Sequence, residues 1–169
     1  ANILSGFALS KQQELIDFIE EADQESLREE WENIKNQTVP VSQQNFFYYL
    51  MKKYQSTPKG KALIQEQVAF ERKRGIYRFP SVHAFDIEAQ VFDLSMLDPQ
   101  SIDPRIAPCA KPGCAEWEFL RQSDAIIINI DYPLGFGAYH LLTKIAENAS
   151  QILGIYVMGK AASLNGVRG

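Results

Sequence analysis

Residues 124–166 constrain the fold of this chain most strongly. They read in order as strand, glycine turn, helix, strand and small-residue loop. Residues 124–131 are an isoleucine run with almost no polar interruption, the pattern of a strand covered on both faces in a parallel sheet. Residues 132–137 supply Pro133, Gly135 and Gly137, which suit a tight turn and close backbone approach. Leu141, Leu142, Ile145 and Ala149 then follow at helical spacing, and residues 152–159 form a second apolar run with β-branched Ile155 and Val157. Together these pieces predict a βαβ unit, whose ligands gather at the carboxyl ends of its strands.

The rest of the chain reads differently. Residues 1–78 are expected to be a helical region and residues 79–169 a partial α/β domain. Ser10 with Gln13, and Ser26 with Glu29, match capping boxes, which splits the first stretch into two helices near residues 23–26. Ser42 is expected to cap a helix carrying Phe46, Phe47, Leu50, Met51 and Tyr54. Thr57 and Pro58 are expected to start another, running to about Gly75. Residues 82–97 suit a strand or a helix equally. The prolines of 98–113 mark a loop, and 115–122 a short helix. The final residues follow a buried-type strand directly, so the chain is expected to be one part of a longer or cleaved protein.

Charge narrows the function. A net charge of −4 argues against general nucleic-acid binding. No apolar run is long enough to span a bilayer, and the first residues lack a basic signal region. Two cysteines are too few for a disulfide framework, so a reducing, cytoplasmic location is expected. Residues 1–37 are acidic, whereas residues 52–78 hold eight bases against Glu66 and Glu71. We read this division as helix faces that complement each other or meet solvent, in preference to a partner surface.

Candidate chemistry is sparse. Cys109 and Cys114 flank a proline turn. His83, Asp103 and Glu116 fall nearby without a zinc spacing, so no metal site is expected. His140 sits alone on the expected helix. Ser163 has no G-x-S-x-G context, which leaves no hydrolase triad to assign. Arg72, Lys73, Arg74 and Arg78 fit a helix end better than an anion site. The two loops after the expected strands are more specific. Gly135 and Gly137 leave room beside the first, where Asp131 suits a turn cap. In the second, Lys160, Ala161, Ala162, Ser163 and Asn165 combine low bulk with a few directional polar groups, as a pocket floor requires.

Pro133-Leu-Gly135 and Gly159-Lys-Ala-Ala-Ser-Leu164, at this spacing, resemble the two corresponding loops of the nucleoside phosphorylase and nucleosidase superfamily. The resemblance covers about residues 124–169. Lys160 stands where that family has a small hydroxyl residue, Ala162 and Ser163 replace glycines, and Pro133 stands at the first glycine. The resemblance implies an incomplete three-layer α/β sandwich, with this chain carrying part of a pocket. It implies cleavage of an N-glycosidic bond in a nucleoside or nucleotide, with either phosphate (as a co-substrate) or water as the attacking group and with no cofactor. Asp131, Gly135, Gly137, Lys160, Ala161, Ala162, Ser163 and Asn165 would then be substrate-binding, and catalytic residues would fall elsewhere. It also implies a homo-oligomer or association with a missing C-terminal portion. The changed glycines keep a second expectation open: a non-catalytic nucleotide-binding or protein-interaction module.

Overall fold

The structure, a computed structural model, describes residues 2–21, 25–37, 42–80, 88–106, 114–131 and 135–158. It is mixed α/β and mostly helical, and it divides into two compact units, Ala1–Asp131 and Tyr132–Gly169. The expected helical region and the sheet that follows it fall within the same unit.

That first unit opens with two single-turn helices, α1 (Asn2–Ser5) and α2 (Phe7–Ser10), joined at Gly6. Gly6 has φ +60°, and a Cβ there would lie 1.9 Å from the Ser101 carbonyl oxygen. Only glycine allows this approach. The Asp103 amide donates to the Ile3 carbonyl at 2.8 Å, fixing the same contact. Ser10 ends α2 and does not cap the next helix, because its hydroxyl donates back to the Phe7 carbonyl.

Four longer helices follow: α3 (Gln12–Glu21), α4 (Glu25–Lys35), α5 (Gln43–Gln55) and α6 (Lys61–Arg72). The split between α3 and α4 occurs as expected, although Ser26 lies inside α4. Ser42 caps α5 by accepting from the Asn45 amide. Thr57 organises the turn before α6 rather than the helix start itself. Its hydroxyl donates to the Tyr54 carbonyl and accepts from the Gly60 amide. Each helix turns its apolar stripe inward. Leu15 and Ile19 of α3, Leu27 and Trp31 of α4, and Phe46, Phe47 and Leu50 of α5 share one core. Trp31 stacks on Phe46 with centroids 5.7 Å apart.

Gly75, at φ +72°, ends the turn after α6 and starts an antiparallel sheet in the order β1 (Ile76–Phe79), β2 (Ala89–Asp93), β3 (Ile126–Ile130). Short α7 (Ala115–Arg121) precedes β3. Ile76, Phe92, Leu97, Ile102 and Trp117 make a second core on one side of the sheet.

Two expectations are corrected here. The isoleucine run does form a strand, but it pairs antiparallel to β2 and is the last strand of the sheet among the described residues, with Ile126, Ile127 and Ile128 exposed. Residues 151–158 adopt no regular secondary structure, so the second strand does not form over them. A strand exists only where a neighbour satisfies its amides and carbonyls, and none of the described residues does so here. In the second unit, α8 (Gly135–Asn148) forms as expected, but none of its described side chains is buried.

Candidate functional site: an open sheet beside a buried ion pair

Cross-strand partners share a face, so the ladder sorts the sheet into two surfaces. On one, Ile76 pairs with Phe92 and Phe92 with Ile127, while Arg78 pairs with Gln90 and Gln90 with Asn129. This face covers the second core. On the other, Tyr77, Val91 and Ile128 form one row, and Phe79, Ala89 and Ile130 the next. No residue of that second face is buried, and Phe79 is exposed. On β3 the exposure extends to both faces: Ile126 is 57% exposed, Ile127 48% and Ile128 39%.

The backbone defines the edge. The Asp131 amide donates to the Glu88 carbonyl at 3.0 Å, and the Leu94 amide to the Ala125 carbonyl at 3.4 Å. In an antiparallel ladder the bonding side alternates. Residues 125, 127, 129 and 131 therefore turn toward β2, and the N–H and C=O groups of Ile126, Ile128 and Ile130 point away. Among the described residues no strand meets them.

Where α6 meets the core-facing side of the sheet lies a polar cluster. Glu71 is 1% exposed and accepts from Arg78 Nε at 2.6 Å, Arg78 Nη2 at 2.9 Å and Gln67 Nε2 at 2.7 Å. Arg78 also donates to Glu88, which accepts from Gln90. Burial opposes the Arg78 charge, but its bonds to Glu71 and Glu88 outweigh that and raise its pKa. Burial likewise opposes the charged Glu88. Bonds from Gln90 and Arg78 still hold its carboxyl below the ordinary range. Gln90 Oε1 is buried without a partner.

A second cluster ties the loop after β2 to the start of α5. Asp103, fully buried, accepts from Tyr48 Oη at 2.8 Å and from Arg105, which also donates to Ser42 and Asn45. The Arg105 hydrogen bonds lower the Asp103 pKa to about 2, despite desolvation. Burial, with the Asp103 hydrogen bond, raises that of Tyr48. An acid whose folded pKa lies below its unfolded value stabilises the fold above the unfolded value. That contribution is lost as pH falls through the folded one. The clasp should therefore weaken between about pH 4 and pH 2. Asp103→Asn should remove roughly 2 kcal/mol at pH 7 and flatten this limb of the stability curve, read by urea unfolding across pH. An unchanged acid limb would show that Asp103 does not carry it.

The residues predicted from sequence are scattered. Asp131 follows β3 and accepts from Asn129 Nδ2 at 3.1 Å. Gly135 opens α8 at φ +51°, and neither it nor Gly137 would bring an added Cβ within 4 Å of another group. Lys160, Ala161, Ala162, Ser163 and Asn165 lie outside the described residues, as do Pro133, His83 and Cys109. The Cys114 thiol donates to Glu116 Oε2 at 2.8 Å. His140 packs edge-on to Phe136. Among the described residues no three His, Cys, Asp or Glu side chains gather as metal ligands. No helix of the described residues is long and apolar enough to cross a membrane.

The basic cluster resolves into separate roles. Arg72 and Lys73 end α6, as expected. Arg74 lies over the Phe70 ring and donates to Ser101. Arg78 belongs to the buried pair. Sequence reading missed Glu71, although a signal was present: Glu66 and Glu71 are the sole acids in a basic stretch. Each has a cation partner, Lys11 for Glu66 and Arg78 for Glu71.

A family model described as "Family of unknown function (DUF6909)" matches residues 1–169, the whole chain. The chain belongs to the DUF6909 family. No curated protein and no solved structure matches it. The open sheet and the buried pair are thus features of a DUF6909 chain whose activity its family description leaves undefined.

Proposed function

We propose that this chain is a protein-interaction module that works through its open sheet. One observation carries the reading: among the described residues β3 is the last strand of the sheet, apolar and exposed on both faces, with outward-pointing backbone groups at Ile126, Ile128 and Ile130. Edge strands that stay solitary are normally protected by lysine, proline, a bulge or a covering segment. The residues Ile126–Ile130 hold only Asn129 as a polar interruption. An extended partner strand would add main-chain hydrogen bonds and cover the isoleucines at once. The buried Arg78–Glu71 pair supports this role by holding β1 to α6.

The test is the native size of the protein in extract of the cells that make it. The wild type should migrate in an assembly larger than one chain. Ile128→Lys, equally folded by circular dichroism, should migrate at the mass of a single chain. Wild type and variant both at single-chain mass would sink the reading.

A second reading, N-glycosidic cleavage on a phosphorylase-like α/β sandwich, draws support from Gly137. Its backbone is not in the left-handed region and its own surroundings would admit a side chain. A closely approaching ligand would account for glycine there. Nucleosides and nucleotides should then bind by calorimetry, Gly137→Val should abolish binding, and free base should accumulate. Absence of binding at millimolar ligand would rule this reading out.

A further inference from the structure

We infer that Asn129 is a two-position switch, which leaves Asp131 and closes the buried polar chain at Gln90 whenever the Asp131 carboxylate is drawn away. The buried cluster is built from two matching halves. On the α6 side, Gln67 donates through Nε2 to Glu71 at 2.7 Å, and its own Oε1 accepts from Gln55 Nε2 at 2.6 Å. On the sheet side, Gln90 donates through Nε2 to Glu88 at 2.9 Å. Arg78 joins the two carboxylates. Both glutamines are more than nine-tenths buried. The halves differ at one atom: Gln90 Oε1 has no donor, whereas Gln67 Oε1 has Gln55. Turning the Gln90 carboxamide over does not help, because Oε1 would then face a carboxylate, which only accepts. A buried acceptor without a partner costs free energy, so a donor within reach is drawn to it.

Asn129 is that donor. It lies directly opposite Gln90 in the β2–β3 register, on the same face of the sheet. Opposite Cβ atoms stand about 5 Å apart, a gap that two carboxamide side chains span. In the structure Asn129 Nδ2 donates to Asp131 Oδ1 at 3.1 Å, two residues along the same face of the strand. The two acceptors therefore compete for one amide. Asp131 is charged but only half-buried, so water can replace Asn129 there. Gln90 Oε1 is neutral but closed to water. A group with two discrete positions, biased from both ends, is what couples two places in a fold. Asp131 is the last residue of the first unit. Engaging its carboxylate elsewhere frees Asn129 for Gln90 and completes the hydrogen-bonded chain from β3 to Gln55 of α5. A donor on Oε1 also polarises the Gln90 amide and strengthens its bond to Glu88. Every residue involved lies within the first unit, so the inference does not depend on the open face of the sheet.

The experiment is side-chain amide NMR of the isotope-labelled full chain. Asp131→Ala removes one of the two acceptors. The Gln90 side-chain amide resonances should then shift, and the Asn129 Nδ2 protons should exchange with water at least about fivefold more slowly. Asp131→Asn removes the charge but keeps an acceptor oxygen, so both signals should stay as in wild type. Asp131→Ala placed on Asn129→Ala should leave Gln90 where Asn129→Ala alone puts it, because no amide remains to move. Gln90 resonances or Asn129 exchange that ignore Asp131→Ala would overturn the inference. A Gln90 shift that is equally large in Asp131→Asn would overturn it as well, since the lost charge alone would then be the cause. A shift that survives Asn129→Ala would do the same, since Asn129 would not carry it.

Discussion

Replacing Arg78 with methionine is expected to destabilise the protein by about 3–5 kcal/mol, the usual cost of removing one partner from a buried ion pair. Glu71 is 1% exposed and cannot recover its hydration when the guanidinium goes. Two of its three hydrogen bonds come from Arg78, through Nε and Nη2. Gln67 alone would remain to hold a buried carboxylate. The same substitution strips Glu88 of its cation. Removing both charges is a different experiment. Glu71→Gln with Arg78→Met leaves no buried ion and keeps an acceptor for Gln67, so it should recover more than half of the loss. A surface pair calibrates the effect. Lys59 and Glu21 approach to 2.8 Å, but their side chains are 76% and 66% exposed, so Lys59→Met should leave stability close to wild type. Urea unfolding followed by circular dichroism reads all of these. An Arg78→Met loss as small as that of Lys59→Met would show that Glu71 is not held by this pair.

The helices were legible because periodicity and capping act locally. Ser42 followed by Phe46, Phe47, Leu50 and Met51 specifies both the start of α5 and its inward face, and both are observed. Capping at Ser10 misled for an equally physical reason. A left-handed Gly6, pressed against the Ser101 carbonyl, starts a separate turn whose end uses the Ser10 hydroxyl. Residue 101 is far away in sequence, so nothing near Ser10 announces it. The isoleucine run marked a strand correctly, but an apolar run does not say which way its neighbour runs. Pairing with β2 makes the strand an antiparallel edge. Residues 152–158 look as strand-like as β3 in composition, yet composition cannot supply the neighbour that a strand needs. The division of charge was readable as complementary faces, and Lys11–Glu66 and Lys59–Glu21 are such pairs. Which acid would be buried was not, because Glu71 lies on an amphipathic helix whose packing is decided by β1. Of the candidate site, the glycines at the start of α8 stood out by type alone. The edge groups of β3 become visible only once the ladder fixes which residues face outward.

Phe47→Ala is expected to cost about 3–5 kcal/mol, because a fully buried aromatic leaves a cavity that its surroundings only partly close. Phe47 has no exposed surface and lies 5.4 Å from the Trp31 ring and 6.4 Å from the Phe46 ring, so its loss loosens α4 against α5. The aromatic contacts add to the simple burial of area. Tyr49, on the same helix but 46% exposed, supplies the control, and Tyr49→Ala should stay within about 1 kcal/mol of wild type. The variant also asks whether the helices support the sheet. Phe47 sits in the helical core and touches no strand residue of the second core. The two cores are linked through the α6–β1 turn, the Glu71–Arg78 pair and the Asp103 clasp to α5. If that link makes them one cooperative unit, Phe47→Ala will speed amide exchange at inward-bonded Ile127 and Asn129 as much as in α5. Exchange at those strand amides that stays at the wild-type rate while α5 opens would mean the sheet stands without the helices. The interaction edge would then be a separable element.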